Sequence, residues 1–144
     1  METRTQSNTK GHGRDGEKLM MISTFTFLSA VVSMTPLQDA IWEIETGKQT
    51  GEVWGDGGTS LGPLQISEAA WIDSGISGEW KHCVNLEYSL TVFDAYINRY
   101  ATVKRIGRAV TNEDQARIWN GGPNGWKKES TVVYWNKVNK EMKL

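Results

Sequence analysis

A chain of 144 residues, 23% of them charged and 38% hydrophobic, has the make-up of one soluble globular domain rather than a disordered polymer. A net charge of −1 gives no overall basic excess, which argues against nucleic acid as a partner and against stable attraction to a membrane surface. Cys83 is the only cysteine, so neither an internal disulfide nor a cysteine-based zinc site can form, and the core must hold the domain together by itself.

Residues 1–17 are polar and read as disordered. Leu19 to Met34 is the longest apolar stretch, 16 residues, against the ~20 that a membrane span needs. It has the length of a secretory hydrophobic region, with Val31 and Ser33 offering small residues for a cut after Ser33. A cleaved signal peptide is therefore expected, although the region before it is long and carries four basic and three acidic residues. A start at Met20 or Met21, an uncleaved anchor and a buried helix are the alternatives. The expected division is residues 1–33, a disordered segment plus signal peptide, and residues 34–144, a monomeric domain of net charge −2 that is secreted or held in the lumen of a digestive or lysosomal compartment.

Thr35-Pro36-Leu37-Gln38 is a strong helix start: Thr caps, Pro fits the first helical position and Gln completes a capping box. Leu37, Ala40, Ile41 and Ile44 then recur at helical spacing, and Gly47 stops a helix over about 36–46. Residues 48–64 alternate glycines with β-branched and aromatic islands, which predicts a small hairpin or irregular sheet. Ser67 caps a short helix over 68–73, ended by Gly75. Leu86, Leu90, Phe93, Ile97 and Tyr100 mark a long helix over about 85–103, with Asn85 as cap. Thr111 or Asn112 opens a helix to about Trp119, Gly121 to Gly125 predicts a loop, and Ser130 opens a last helix to about Met142.

Two carboxylates stand out. Glu45 falls in the last turn of the first helix, where partial burial and the negative end of the helix dipole both raise its pKa, as a general acid requires. Asp56 sits among Gly55, Gly57 and Gly58, whose open backbone can solvate a carboxylate and keep it ionised. Glu43 reads as a solvated charge. One protonated and one ionised acid facing a cleft is the arrangement that glycoside hydrolysis uses. No cluster of His, Asp and Glu has ligand spacing, so no metal or organic cofactor is expected. His82 beside Cys83 is a poor nucleophile and base, since adjacent residues rarely face each other.

The runs E-T-G, W-G-D-G-G-T-S-L-G-P-L-Q-I, A-W-I-D-S-G, A-R-I-W-N-G-G-P-N-G-W and Y-W-N-K-V together resemble the invertebrate-type (destabilase-like) lysozymes over about residues 37–139. The resemblance implies an α+β, predominantly helical lysozyme-like fold, with a small sheet beside the active-site cleft. It implies hydrolysis of the β-1,4 bond between N-acetylmuramic acid and N-acetylglucosamine in peptidoglycan, with Glu45 at the family's acid and Asp56 at its aspartate. Ser60, Leu64, Gln65 and Ile66 are then expected at the cleft floor. Asn120 with Gly121 and Gly122 is expected to hold an N-acetyl group. Trp54, Trp119 and Tyr134 are core or sugar platforms, Trp54 being placed towards the cleft because it abuts Gly55-Asp56.

The family is rich in disulfides, yet Leu61, Ser74 and Trp126 stand where cysteines would be expected. Apolar packing, helped by seven tryptophans, must substitute. The family histidine before N-G-G-P is Trp119 here, so a second, Ser60-centred isopeptidase activity finds no partner at that position. Two rival readings keep the fold: a lytic transglycosylase using Glu45 alone, and a glycan-binding protein without catalysis.

Overall fold

The computed structural model describes residues 32–144. Most of the expected signal segment, the N-terminal tail and His12 lie outside them. The first helix, α1, runs Pro36–Thr46, with Thr35 accepting from the Gln38 N–H while the Thr35 N–H donates to the Gln38 side chain. A left-handed Gly47 ends it. Both ends are where the capping box and the glycine stop predict them.

A three-stranded antiparallel sheet follows, each strand two residues long: β1 Trp54–Gly55, β2 Ser60–Leu61 and β3 Ile66–Ser67. Asp56, Gly57 and Gly58 all adopt positive φ in the β1–β2 turn, which glycine tolerates freely and aspartate better than most residues. Thr46 ties the sheet region to α1 by donating to the Pro63 carbonyl at 2.9 Å.

The rest is helical: α2 Glu68–Ser74, α3 Leu86–Tyr100, α4 Val103–Ile106, α5 Asn112–Gly121 and α6 Val132–Met142. α1 packs on α6, α2 on α3 and α5 on α6. Leu37, Ile41, Leu64, Phe93, Ile118 and Val138 form the centre of one core.

Three expectations need correction. The long helix stops at Tyr100 rather than near 103, because Thr102 caps a separate short helix by accepting from the Arg105 N–H. Gly121 is the last helical residue, not loop: a side chain there would collide with Thr131 Cγ2, so glycine is kept by close packing rather than by a turn. The last helix starts at Val132, after a 3₁₀ turn over Glu129–Thr131, because Thr131 is buried and bonded to the Gly125 carbonyl and to Arg117. A further 3₁₀ turn, Trp80–Val84, carries no pattern that the spacing of apolar residues reveals.

Candidate active site

The end of α1, the β1–β2 turn, the start of α2 and the end of α5 enclose a cleft of about 230 Å³. Glu45, Asp56, Ser60, Gln65, Trp119 and Asn120 line it, together with Ile66, Ser67 and Ala70.

Glu45 is half-buried, and burial pushes its carboxyl from the ordinary 4.5 up to about 7. The Tyr134 hydroxyl, from α6, donates to its Oε1 at 2.7 Å and opposes the rise, while the negative charge of Asp56 adds to it. The Tyr134 phenol is itself pushed well above its usual range, first by burial and then by Glu45. Tyr134, expected as core or sugar platform, packs against the core and is the partner of the acid.

Asp56 is exposed, at φ 50°. Its Oδ2 accepts from the buried Ser60 hydroxyl at 2.7 Å. A hydroxyl one strand away, rather than glycine amides, is therefore its hydrogen-bond partner. Gln65 also has a positive φ, 51°, and its side-chain amide bridges the Val53 and Gly62 carbonyls at 3.0 Å each. It packs so tightly over Gly55 that a side chain at Gly55 would strike its Oε1. Trp119 bridges cleft and core, meeting Phe93 edge-on with ring centres 4.9 Å apart and Tyr96 at 5.7 Å.

Several expected residues stand elsewhere. Leu64 is wholly buried in the core. Gly121 faces Thr131, and its carbonyl accepts from Lys128 Nζ; Gly122 caps α5 through the Ile118 carbonyl. Neither lines the cleft. Trp54 does not face it either. Trp54 pairs with Leu61 while Gly55 pairs with Ser60, and successive residues of a strand point to opposite faces. Ser60 reaches the cleft, so Leu61 and Trp54 take the other side. Ser67 and Ala70, missed from the sequence, enter the cleft from the cap and first turn of α2. Their signal was the helix start directly after Gln65-Ile66.

Residues 39–141 match the family called Destabilase. A lysozyme of Meretrix lusoria is 39% identical over 117 residues, 79% of this chain and 93% of that protein. A lysozyme of Magallana gigas is 34% identical over 130 residues, 88% of this chain and 92% of that protein. The solved inhibitor-bound lysozyme from Meretrix lusoria superposes with a TM-score of 0.66 at 36% identity, covering 76% of this chain and 90% of that one.

The chain belongs to the destabilase family. It has the lysozyme fold and is a glycoside hydrolase of the lysozyme class. As a cysteine-poor destabilase it fills the three expected cysteine positions differently. Leu61 is a buried residue of β2. Ser74 donates to the Trp71 carbonyl at 2.6 Å and closes the end of α2, and Trp126 packs on the core.

Proposed function

We propose that the protein is a secreted muramidase that hydrolyses the β-1,4 bond between N-acetylmuramic acid and N-acetylglucosamine in bacterial peptidoglycan. The observation that carries this is the unlike pair in one cleft: Glu45, half-buried and holding its proton up to about pH 7, and Asp56, exposed and bonded to a hydroxyl. Glu45 protonates the departing glycosidic oxygen. Asp56 sits across the cleft to stabilise the oxocarbenium-like centre or to bond to it, after which water takes the sugar and Glu45 recovers its proton. Carboxyls ~5 Å apart give retention by the covalent route, and a wider gap gives inversion by direct attack of water.

Both acids lining the cleft favour hydrolysis over a one-acid transglycosylase. Mass spectrometry of digested peptidoglycan tests this, with reducing ends expected and 1,6-anhydro ends refuting it. Asp56→Asn is expected to abolish hydrolysis while binding survives. A fully active Asp56→Asn beside a dead Glu45→Gln would refute the two-acid mechanism, and two active variants would refute the site. Secretion rests on the apolar stretch before residue 34; no helix among the described residues is long and apolar enough to cross a membrane.

A further inference from the structure

On the opposite face of the same small sheet lies a second pocket, of about 500 Å³. That is within the ~300–1,000 Å³ of small-ligand sites. Its walls are two indoles, Trp54 and Trp80, with ring centres 5.8 Å apart and planes at 81°. Leu61 and Val84 form its base, and Glu52, Lys81 and His82 its rim.

Both indoles are held without a ligand. Trp80 donates its ring N–H to the Ile66 carbonyl at 2.8 Å, and Trp54 donates its own to Glu52 Oε1 at 3.0 Å. Their N–H groups being used within the protein, what they offer outward is ring surface, and Trp54 keeps 49% of its area exposed in doing so. Trp54 is not a lone exposed residue: with Trp80, Leu61 and Val84 it forms one concave apolar surface with a polar rim, as small-ligand sites do. The near-perpendicular walls make a corner rather than a groove, which fits one ring and not a helix or an extended peptide.

The rim is polar and of both signs. Glu52 has a second carboxylate oxygen to accept from hydroxyls. Lys81, ion-paired with Glu79 at 2.9 Å, is a donor. His82, an exposed residue, takes the Glu79 N–H on Nδ1, which leaves its Nε2 as a further polar atom. Flat apolar surface below and mixed donors and acceptors around it are what a pyranose needs, with C–H groups on its face and hydroxyls at its edge. The pocket and the cleft lie back to back. Ile66 lines the cleft, while its carbonyl anchors Trp80 in the pocket.

We propose that the Trp54–Trp80 corner is a second, non-catalytic site for an N-acetylhexosamine ring of a β-1,4 glycan, which holds the enzyme on insoluble wall while the cleft cuts. The identity of the glycan rests on the muramidase reading; the presence of a sugar site does not. A polymer with many strands can fill both sites at once, so the gain is in residence on the wall and not in the chemical step.

The test follows the indole N–H resonances of the Glu45→Gln protein by NMR during titration with the tetramer of β-1,4-linked N-acetylglucosamine, Trp54→Phe assigning the Trp54 signal. The Trp54 resonance is expected to move and saturate, independently of Trp119 in the cleft. Trp54→Ala in the otherwise intact enzyme is expected to weaken pelleting with insoluble peptidoglycan roughly tenfold, the loss of one stacked aromatic contact. Its hydrolysis of soluble oligosaccharides stays unchanged, which also shows that it folds, and Trp54→Tyr is expected to restore most of the binding. The proposal is overturned if the Trp54 resonance stays still while Trp119 responds, or if Trp54→Ala pellets like the parent. It is equally overturned if that resonance answers only to protein concentration, which marks a self-contact, or only to wall stem peptides. Failure of the muramidase reading shows separately, as an active Glu45→Gln protein or an unmoved Trp119.

Discussion

Glu45 and Asp114 are both acids drawn out of water, and the fold treats them in opposite ways. Asp114 is 1% exposed in the first turn of α5. Burial alone would raise its pKa, but Arg108 grips it with two bonds of 2.7 and 2.9 Å, and the Thr111 N–H and hydroxyl add two more, so its carboxyl is held below the ordinary 3.8. Among the described residues Glu45 is given one hydroxyl and no cation, so burial wins and its carboxyl rises to about 7. Count of partners, not depth, separates an acid held ionised from one held protonated. Four donors hold the Asp114 carboxylate ionised, whereas a single donor leaves burial to decide at Glu45.

Glu45→Gln carries the largest expected effect. Removing the transferable proton is expected to cut peptidoglycan hydrolysis by ~10²–10⁴-fold or more, measured as reducing ends released. The same change is expected to make the protein more stable at pH 8. Because the folded pKa is raised, the stability tied to Glu45 is complete below 4.5 and is lost as pH rises to about 7. A neutral glutamine avoids that loss, worth roughly 3 kcal/mol at most. Thermal melts of the two proteins should coincide near pH 4 and part above pH 7. Coincidence at pH 8 would mean that burial does not raise the Glu45 carboxyl above its ordinary value.

Asp114→Ala is the counterpart and should act on stability alone. Losing the helix-capping box and the charge-assisted bonds is expected to cost about 2–4 kcal/mol in urea titrations at pH 7, with the rate per folded molecule unchanged. Here the pH sign is reversed: a depressed pKa gives stability that is present above 3.8 and lost as pH falls through the folded value. The parent's advantage over Asp114→Ala therefore shrinks in acid.

Tyr134→Phe probes the single donor of Glu45. Without it the carboxylate loses support, so the alkaline limb of the pH–rate profile should move up, by less than about one unit. A downward move would mean that Tyr134 serves the protonated form. Glu43→Gln, with no place in the cleft, is the control and should leave the profile within a few-fold of the parent. The smallest effect is that of salt. With residues 34–144 at a net charge of −2, raising salt to physiological strength should slow wall digestion only mildly. A steep fall would reveal a local basic face.

The legible parts of the molecule are those written within a few residues of one another. Thr35, Gln38 and Gly47 mark both ends of α1; Ser67, Gly75 and Asn85 mark α2 and the start of α3. Caps and stops are local chemistry, so the sequence states them directly. The local places of Glu45 and Asp56 are legible for the same reason, as an acid ending an amphipathic helix and an acid in a glycine turn, and both line the cleft. What the sequence could not state is which partners come from far along the chain. Tyr134 lies 89 residues from the acid it bonds. Trp54 does not follow Asp56 into the cleft because Asp56 lies beyond the strand, in the turn at positive φ, so strand alternation does not carry through to it; only the pairing of Gly55 with Ser60 decides which face is which. Gly121 reads as loop until Thr131 is packed against it. Local rules settle where elements begin and end; the face a residue shows, and the proton it keeps, are settled by what the tertiary fold brings up against it.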